Sequence, residues 1–136
     1  MALNNIRSGL GYVPAYQVSS IPFLTSSLTV PDRNSTPLEI NFQLVTKFVV
    51  VTNTYGGAQN IPLRVGFSEN GVKGTENNNY LILNNGESFE ADFRVTKMFL
   101  LSDSTTFATS GSVVAGLTDI GANMLIYNWS GSIGVG

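Results

Sequence analysis

The chain has 136 residues, room for one domain with a proper core, and contains neither cysteine nor histidine. That composition excludes disulfide frameworks, thiolate metal sites, cysteine nucleophiles and histidine-based triads. Charged residues make up only 12% of the chain and the formal net charge is −2, so the polar surface is built from Asn, Ser, Thr and Gly and carries no basic stripe for nucleic acid.

Residues 1–22 combine Gly9, Gly11, Pro14 and Pro22 with isolated apolar residues at no period of 2 or 3.6, which predicts an extended N-terminal arm. Tyr12, Val13 and Tyr16 are too apolar for an ordinary disordered tail, and they are assigned to contact with a neighbouring chain. No stretch has signal-peptide or membrane-spanning length, so the expectation is a protein made in a cytoplasm, soluble and not bound to membrane. Asn34-Ser35-Thr36 and Asn128-Trp129-Ser130 fit the glycosylation pattern, but in an Asn- and Ser-rich chain without a secretion signal they read as chance.

The folded body is expected over residues 23–130, with a tail at 131–136. Leu24, Leu28 and Val30 suggest a first strand, closed by the turn Pro31-Asp32-Arg33-Asn34. Ile40, Phe42 and Leu44 then alternate with polar residues, as in a half-buried strand. The run Phe48-Val49-Val50-Val51 is expected to be covered on both faces. Leu63, Val65 and Phe67 resume alternation, with Arg64 on the wet face.

Asn70-Gly71 and Asn85-Gly86 each carry the dipeptide of a tight hairpin and bracket a strand at Tyr80–Leu83. Phe89, Ala91, Phe93 and Val95 form the next alternating strand, and Lys97–Leu101, Val113–Leu117 and Met124–Trp129 complete the set. The phenylalanines at 42, 48, 67, 89 and 93 are assigned to the core. Only Asp119–Met124 has room for a single helical turn. About eight to ten short strands with regular turns predict an all-β fold, a two-sheet antiparallel sandwich with a jelly roll preferred to an immunoglobulin-like order.

Candidate chemistry is thin. Glu90 and Asp92, two apart on one strand face, would stand about 6.5 to 7 Å apart, a spacing open to inverting glycosidases, and Glu87 nearby makes a calcium site conceivable. Their simpler reading is the wet face of a half-buried strand. A serine nucleophile would have only lysine as base, and no Ser-x-x-Lys pairing occurs. Gly66, Gly71 and Gly74 precede no helix that could bind phosphate and are read as hairpin glycines. The expectation is therefore a protein with no catalytic residues, metal or cofactor. Aromatic residues on a neutral surface are binding anchors, which singles out Tyr55 beside Gly56-Gly57 as a loop-tip contact.

Four phrases carry a resemblance over most of the chain: Tyr16-Gln17-Val18-Ser19-Ser20-Ile21-Pro22-Phe23, Phe48-Val49-Val50-Val51-Thr52-Asn53, Leu63-Arg64-Val65-Gly66-Phe67-Ser68 with Asn70-Gly71, and Ala115-Gly116-Leu117-Thr118-Asp119-Ile120. In these the chain resembles small jelly-roll structural proteins of tailed bacteriophages and related aquatic viruses. The resemblance implies a virion protein on the capsid surface that decorates or cements the shell, bound to the major capsid protein as a homotrimer, with the arm reaching across its partner. Ile21, Pro22 and Phe23 would form the hinge between arm and body. The rival expectation is a receptor- or carbohydrate-binding head of a tail fibre or spike, with Tyr55, Tyr127 and Trp129 stacking on sugar.

Overall fold

The computed structural model describes residues 20–75, 78–125 and 128–136. Among them nine strands form two antiparallel sheets. The strands are β1 (Ile21–Leu24), β2 (Leu28–Val30), β3 (Leu38–Asn41), β4 (Leu44–Asn53), β5 (Leu63–Gly66), β6 (Leu81–Leu83), β7 (Ser88–Ala91), β8 (Lys97–Ser102) and β9 (Thr109–Gly121). The five-stranded sheet runs β1-β9-β4-β7, with β2 also paired to β9, and the four-stranded sheet runs β3-β8-β5-β6. Because β1 and β2 lie in line along the same edge of β9, they count as one interrupted strand. Renumbered that way, the sheets read 1-8-3-6 and 2-7-4-5, the double Greek key of a jelly roll.

Alternation explains the core. Val49 and Val51 of β4, and Val113, Ala115 and Leu117 of β9, point inward onto Ile40, Leu63, Val65, Met98 and Leu100 of the other sheet. Phe42 closes this core and meets Phe23 edge-on at 4.8 Å between centroids. Phe48 and Val50 have the opposite parity and lie half-buried on the outer face of the five-stranded sheet. The valine run is therefore fully covered on one side only.

The body departs from expectation where tertiary contacts overrule local pattern. The expected first strand is two strands, and Ile21 and Pro22, placed at a hinge, are already paired in β1 opposite Leu117 and Gly116. A proline is tolerated there because β1 is an edge. Arg64 is 5% exposed instead of wet, since a short helix, α1 (Glu69–Lys73), covers the outer face of β5. Asn70-Gly71 lies inside α1 and forms no hairpin. Ser68 caps the helix by accepting from the Gly71 amide, and Gly74 ends it in the left-handed region at φ 69°.

Asn85-Gly86 does make a turn, with Gly86 at φ 81°, but it joins β6 and β7, which belong to different sheets. The alternating strand at 89–95 stops at Ala91, where the side chain of Thr46 takes over: its hydroxyl donates to the Phe93 carbonyl at 2.6 Å and accepts from the Val95 amide at 3.0 Å. Phe93 is consequently 42% exposed and not part of the core. Residues 124 and 125, assigned to a last strand, belong to a 3₁₀ helix (Ala122–Leu125), and Trp129 sits in a turn at φ 64°.

Candidate functional site

The polar side chains that the fold buries are spent on fastening. At one end of the sandwich, Asn53 closes β4 and its amide nitrogen donates to Ile61 O at 3.0 Å and Leu83 O at 2.9 Å, tying the five-stranded sheet to the four-stranded one. Around it Asn60 and Asn85 bind each other's segments, with the Asn85 amide N–H donating to Asn60 Oδ1 and Asn60 Nδ2 donating to Asn84 Oδ1. Tyr55 belongs to this end. Its amide donates to Asn53 Oδ1, and its ring folds over Gly57, where a Cβ would lie 2.6 Å from it.

On the outer side of the four-stranded sheet, the Arg64 guanidinium donates to Asp103 Oδ1 at 2.7 Å and to the Val72 and Lys73 carbonyls that end α1, and it lies 4.0 Å over the Tyr80 ring. It holds the helix onto the sheet. A cation in that place satisfies carbonyls that have no partner within the helix.

The opposite end is built around the C-terminal segment 128–136. Asn128, 3% exposed at φ 48°, is inserted between β5 and β8 beyond their ladder. Its Oδ1 accepts from the Thr96 and Lys97 amides, and its Nδ2 donates to the Phe67 and Lys97 carbonyls. Asparagine is among the few residues that reach this backbone region without high cost. The segment then returns to α1, where the Ser68 hydroxyl donates to Val135 O at 2.7 Å. Gly71 must be glycine here because a Cβ would collide with Val135 O.

Large apolar side chains are exposed in several parts of the body, among them Leu24, Ile82, Phe107 and Ile133, and Phe93 and Trp129 are exposed at this segment. A cleft of about 430 Å³ opens there between Phe67, Phe93, Trp129, Asp92 and Arg94. Phe93 meets Phe67 edge-on at 5.5 Å. The indole Nε1 of Trp129 donates to the Arg94 carbonyl, and the Arg94 guanidinium lies 5.1 Å over its ring, so one face of the indole is already taken.

The residues singled out from sequence are distributed as follows. Tyr12, Val13 and Tyr16 lie outside the described residues, as does Tyr127. Ile21 is exposed in β1, Pro22 faces outward, and Phe23 is turned in against Phe42. Tyr55 and Trp129 flank opposite ends of β4, whose 10 residues span roughly 30 Å, so no small sugar bridges them. Glu90 is exposed on the outer face of β7, and Asp92 lies past the strand's end on the rim of the Phe93 cleft. Glu87 is committed to its turn, accepting from the Asn84 amide at 2.7 Å. Among the described residues no three Asp or Glu side chains gather as a metal site would require.

No family model matches the chain. No curated protein matches it either. Among solved structures, a crystal structure of FeII HppE is similar at a TM-score of 0.40 and 12% identity, over 71% of this chain and 43% of that one. This chain thus spans less than half the length of HppE, and a likeness that distant says nothing of chemistry.

Proposed function

We propose that the protein is a structural component of a virus particle that decorates or cements the capsid exterior, binding the major capsid protein as a homotrimer and catalysing nothing. The observation that carries this reading is the exposed aromatic pair Phe93 and Trp129, which wall one cleft beside the C-terminal segment 128–136. Exposed large apolar groups are adhesive, and aromatic ones supply most of the energy at protein interfaces. The opposite end is cross-linked by asparagines. In this reading Tyr12, Val13 and Tyr16 add contact from the N-terminal segment, Ile21, Pro22 and Phe23 orient it, and Tyr55 lies on the far side.

The test is co-sedimentation of the full chain with shells assembled from the major capsid protein. Binding that Trp129→Ala and Ile133→Ser weaken together supports the reading; protein left in the supernatant refutes it. One observation favours the rival carbohydrate-binding head: the cleft between Phe93 and Trp129 has aromatic walls and the polar groups of Asp92 and Arg94 on its rim. Glycan-dependent quenching of Trp129, the sole tryptophan, would identify that activity.

A further inference from the structure

A sheet edge offers unpaired backbone groups to any passing strand, and proteins blunt such edges with proline or charge. Pro22 lies in β1 and Pro31 follows β2, β3 carries the exposed Glu39 in an ion pair with Lys97 at 3.4 Å, and β7 carries the exposed Glu90. β6 has neither proline nor charge. Among the described residues it pairs only with β5, and Leu81 and Ile82 are 40% and 43% exposed. The ladder fixes which of its backbone groups point outward. The Asp103 amide donates to Pro62 O, so Asp103 and, two residues back, Leu101 direct their backbone groups at β5, where Leu101 faces Arg64. By alternation Leu63 and Val65 turn theirs to β6, onto Leu83 and Leu81, which leaves the N–H and C=O of Ile82 aimed away from the sheet.

We propose that β6 is a contact between two copies of this chain, joined antiparallel about a two-fold axis through Ile82 so that their four-stranded sheets run on as one. The sequence around that axis, Asn79-Tyr80-Leu81-Ile82-Leu83-Asn84-Asn85, reads nearly the same in both directions. In this register the Ile82 amide donates to the Ile82 carbonyl of the second copy and the exchange is reciprocal. Leu81 stands across from Leu83, Tyr80 from Asn84 and Asn79 from Asn85, so no like charges are opposed. Leu81 lies opposite Val65 on the inner face and meets Leu83 there, while the two Ile82 side chains meet on the outer face. Each copy thus covers the apolar groups that the other leaves exposed, which favours a second copy over an unrelated strand. A two-fold contact neither requires nor forms a three-fold group, so it stands apart from the capsid reading.

Ile82→Pro removes the outward N–H of the central residue at a position where an edge strand accommodates proline. Ile82→Lys, which sets two cations against each other, serves should the proline variant fold poorly. Sedimentation equilibrium of the full chain should give the wild type, as concentration rises, twice the mass of the variant, whether the variant is a monomer or a trimer. Equal masses at every concentration overturn the proposal. Because the chain has no native cysteine, Ile82→Cys reports on the register. The two α-carbons would stand about 5.5 Å apart, within disulfide reach, so mild oxidation should link the chains in pairs, whereas Phe107→Cys, exposed elsewhere on the body, should stay unlinked. Equal linkage at the two positions overturns the pairing. So does an Ile82→Cys thiol that neither links nor reacts with maleimide, which would assign the edge to other residues of the same chain.

Discussion

The side-chain amide of Asn128 donates a 2.9 Å hydrogen bond to the carbonyl oxygen of Phe67, sixty-one residues earlier, and so joins the C-terminal segment to the end of β5. With its contacts to Thr96 and Lys97, this one side chain substitutes for the ladder that β5 and β8 no longer share beyond Gly66 and Phe99.

Asn128→Ala leaves those buried backbone groups without partners and should cost about 2 to 3 kcal/mol in chemical denaturation. Asn128→Asp keeps the acceptor and loses both donors, placing a charge beside two carbonyls, and should cost at least as much. Hydrogen exchange at the Thr96 and Lys97 amides should accelerate in the alanine variant. A loss below about 0.5 kcal/mol would mean that the segment is not held by this residue.

Burial separates two phenylalanines that alternation alone treats alike. Phe42→Ala, at 3% exposure, should destabilise by about 3 to 5 kcal/mol. Phe93→Ala, at 42% exposure, should destabilise by about 1 to 2 kcal/mol, chiefly through lost contact with Phe67 and Phe89. Equal losses in urea titrations of the two variants would place Phe93 in the core after all.

Arg64 is the buried half of an ion pair whose other half, Asp103, is 29% exposed in its side chain. Removing the cation strands the carbonyls of Val72 and Lys73, whereas removing the carboxylate leaves an arginine that still has those carbonyls and the Tyr80 ring. Arg64→Met should therefore lose about 3 kcal/mol and loosen α1, and Asp103→Asn about 1 kcal/mol. Thermal denaturation that ranks the two variants in reverse order would refute this division.

Gly116 has no room for a side chain between Phe48 and Ser20. Gly116→Val should expel one of them and cost about 1 to 3 kcal/mol, while the paired Phe48→Ala/Gly116→Val variant should recover part of the loss. Additive losses would show that the two positions do not share the space.

These contrasts mark what the sequence could and could not convey. The strands at Ile40–Phe42 and Leu63–Val65 were legible because one face of each meets the core and period two follows directly. Arg64 was not, since a strand's outer face reads as wet until something covers it, and the cover, α1, is announced only by Ser68 three residues before Gly71 and by Gly74 at its end. The same Asn-Gly dipeptide serves a turn at Asn85-Gly86 and a helix at Asn70-Gly71, so the dipeptide cannot decide between them. Phe93 continues an alternation past the point where its strand has lost its partner to Thr46. Asn128 gave no periodic signal at all; its role rests on a backbone conformation that asparagine tolerates and on partners distant in sequence. Of the residues expected to make contacts, Ile21, Pro22 and Phe23 lie along the β1 edge opposite Leu117, Gly116 and Ala115, with Phe23 turned in against Phe42, and Tyr55 lies just past the end of β4.

The central claim is that the molecule acts by adhesion to a viral shell through the end that holds Phe93, Trp129 and residues 128–136. Electron cryo-microscopy of intact particles tests it most directly. The account predicts the jelly-roll body on the capsid exterior, in three-fold groups, with that end against the major capsid protein and Tyr55 pointing away. Particles that lack the protein, or that carry it with the Tyr55 end seated on the shell, would contradict it.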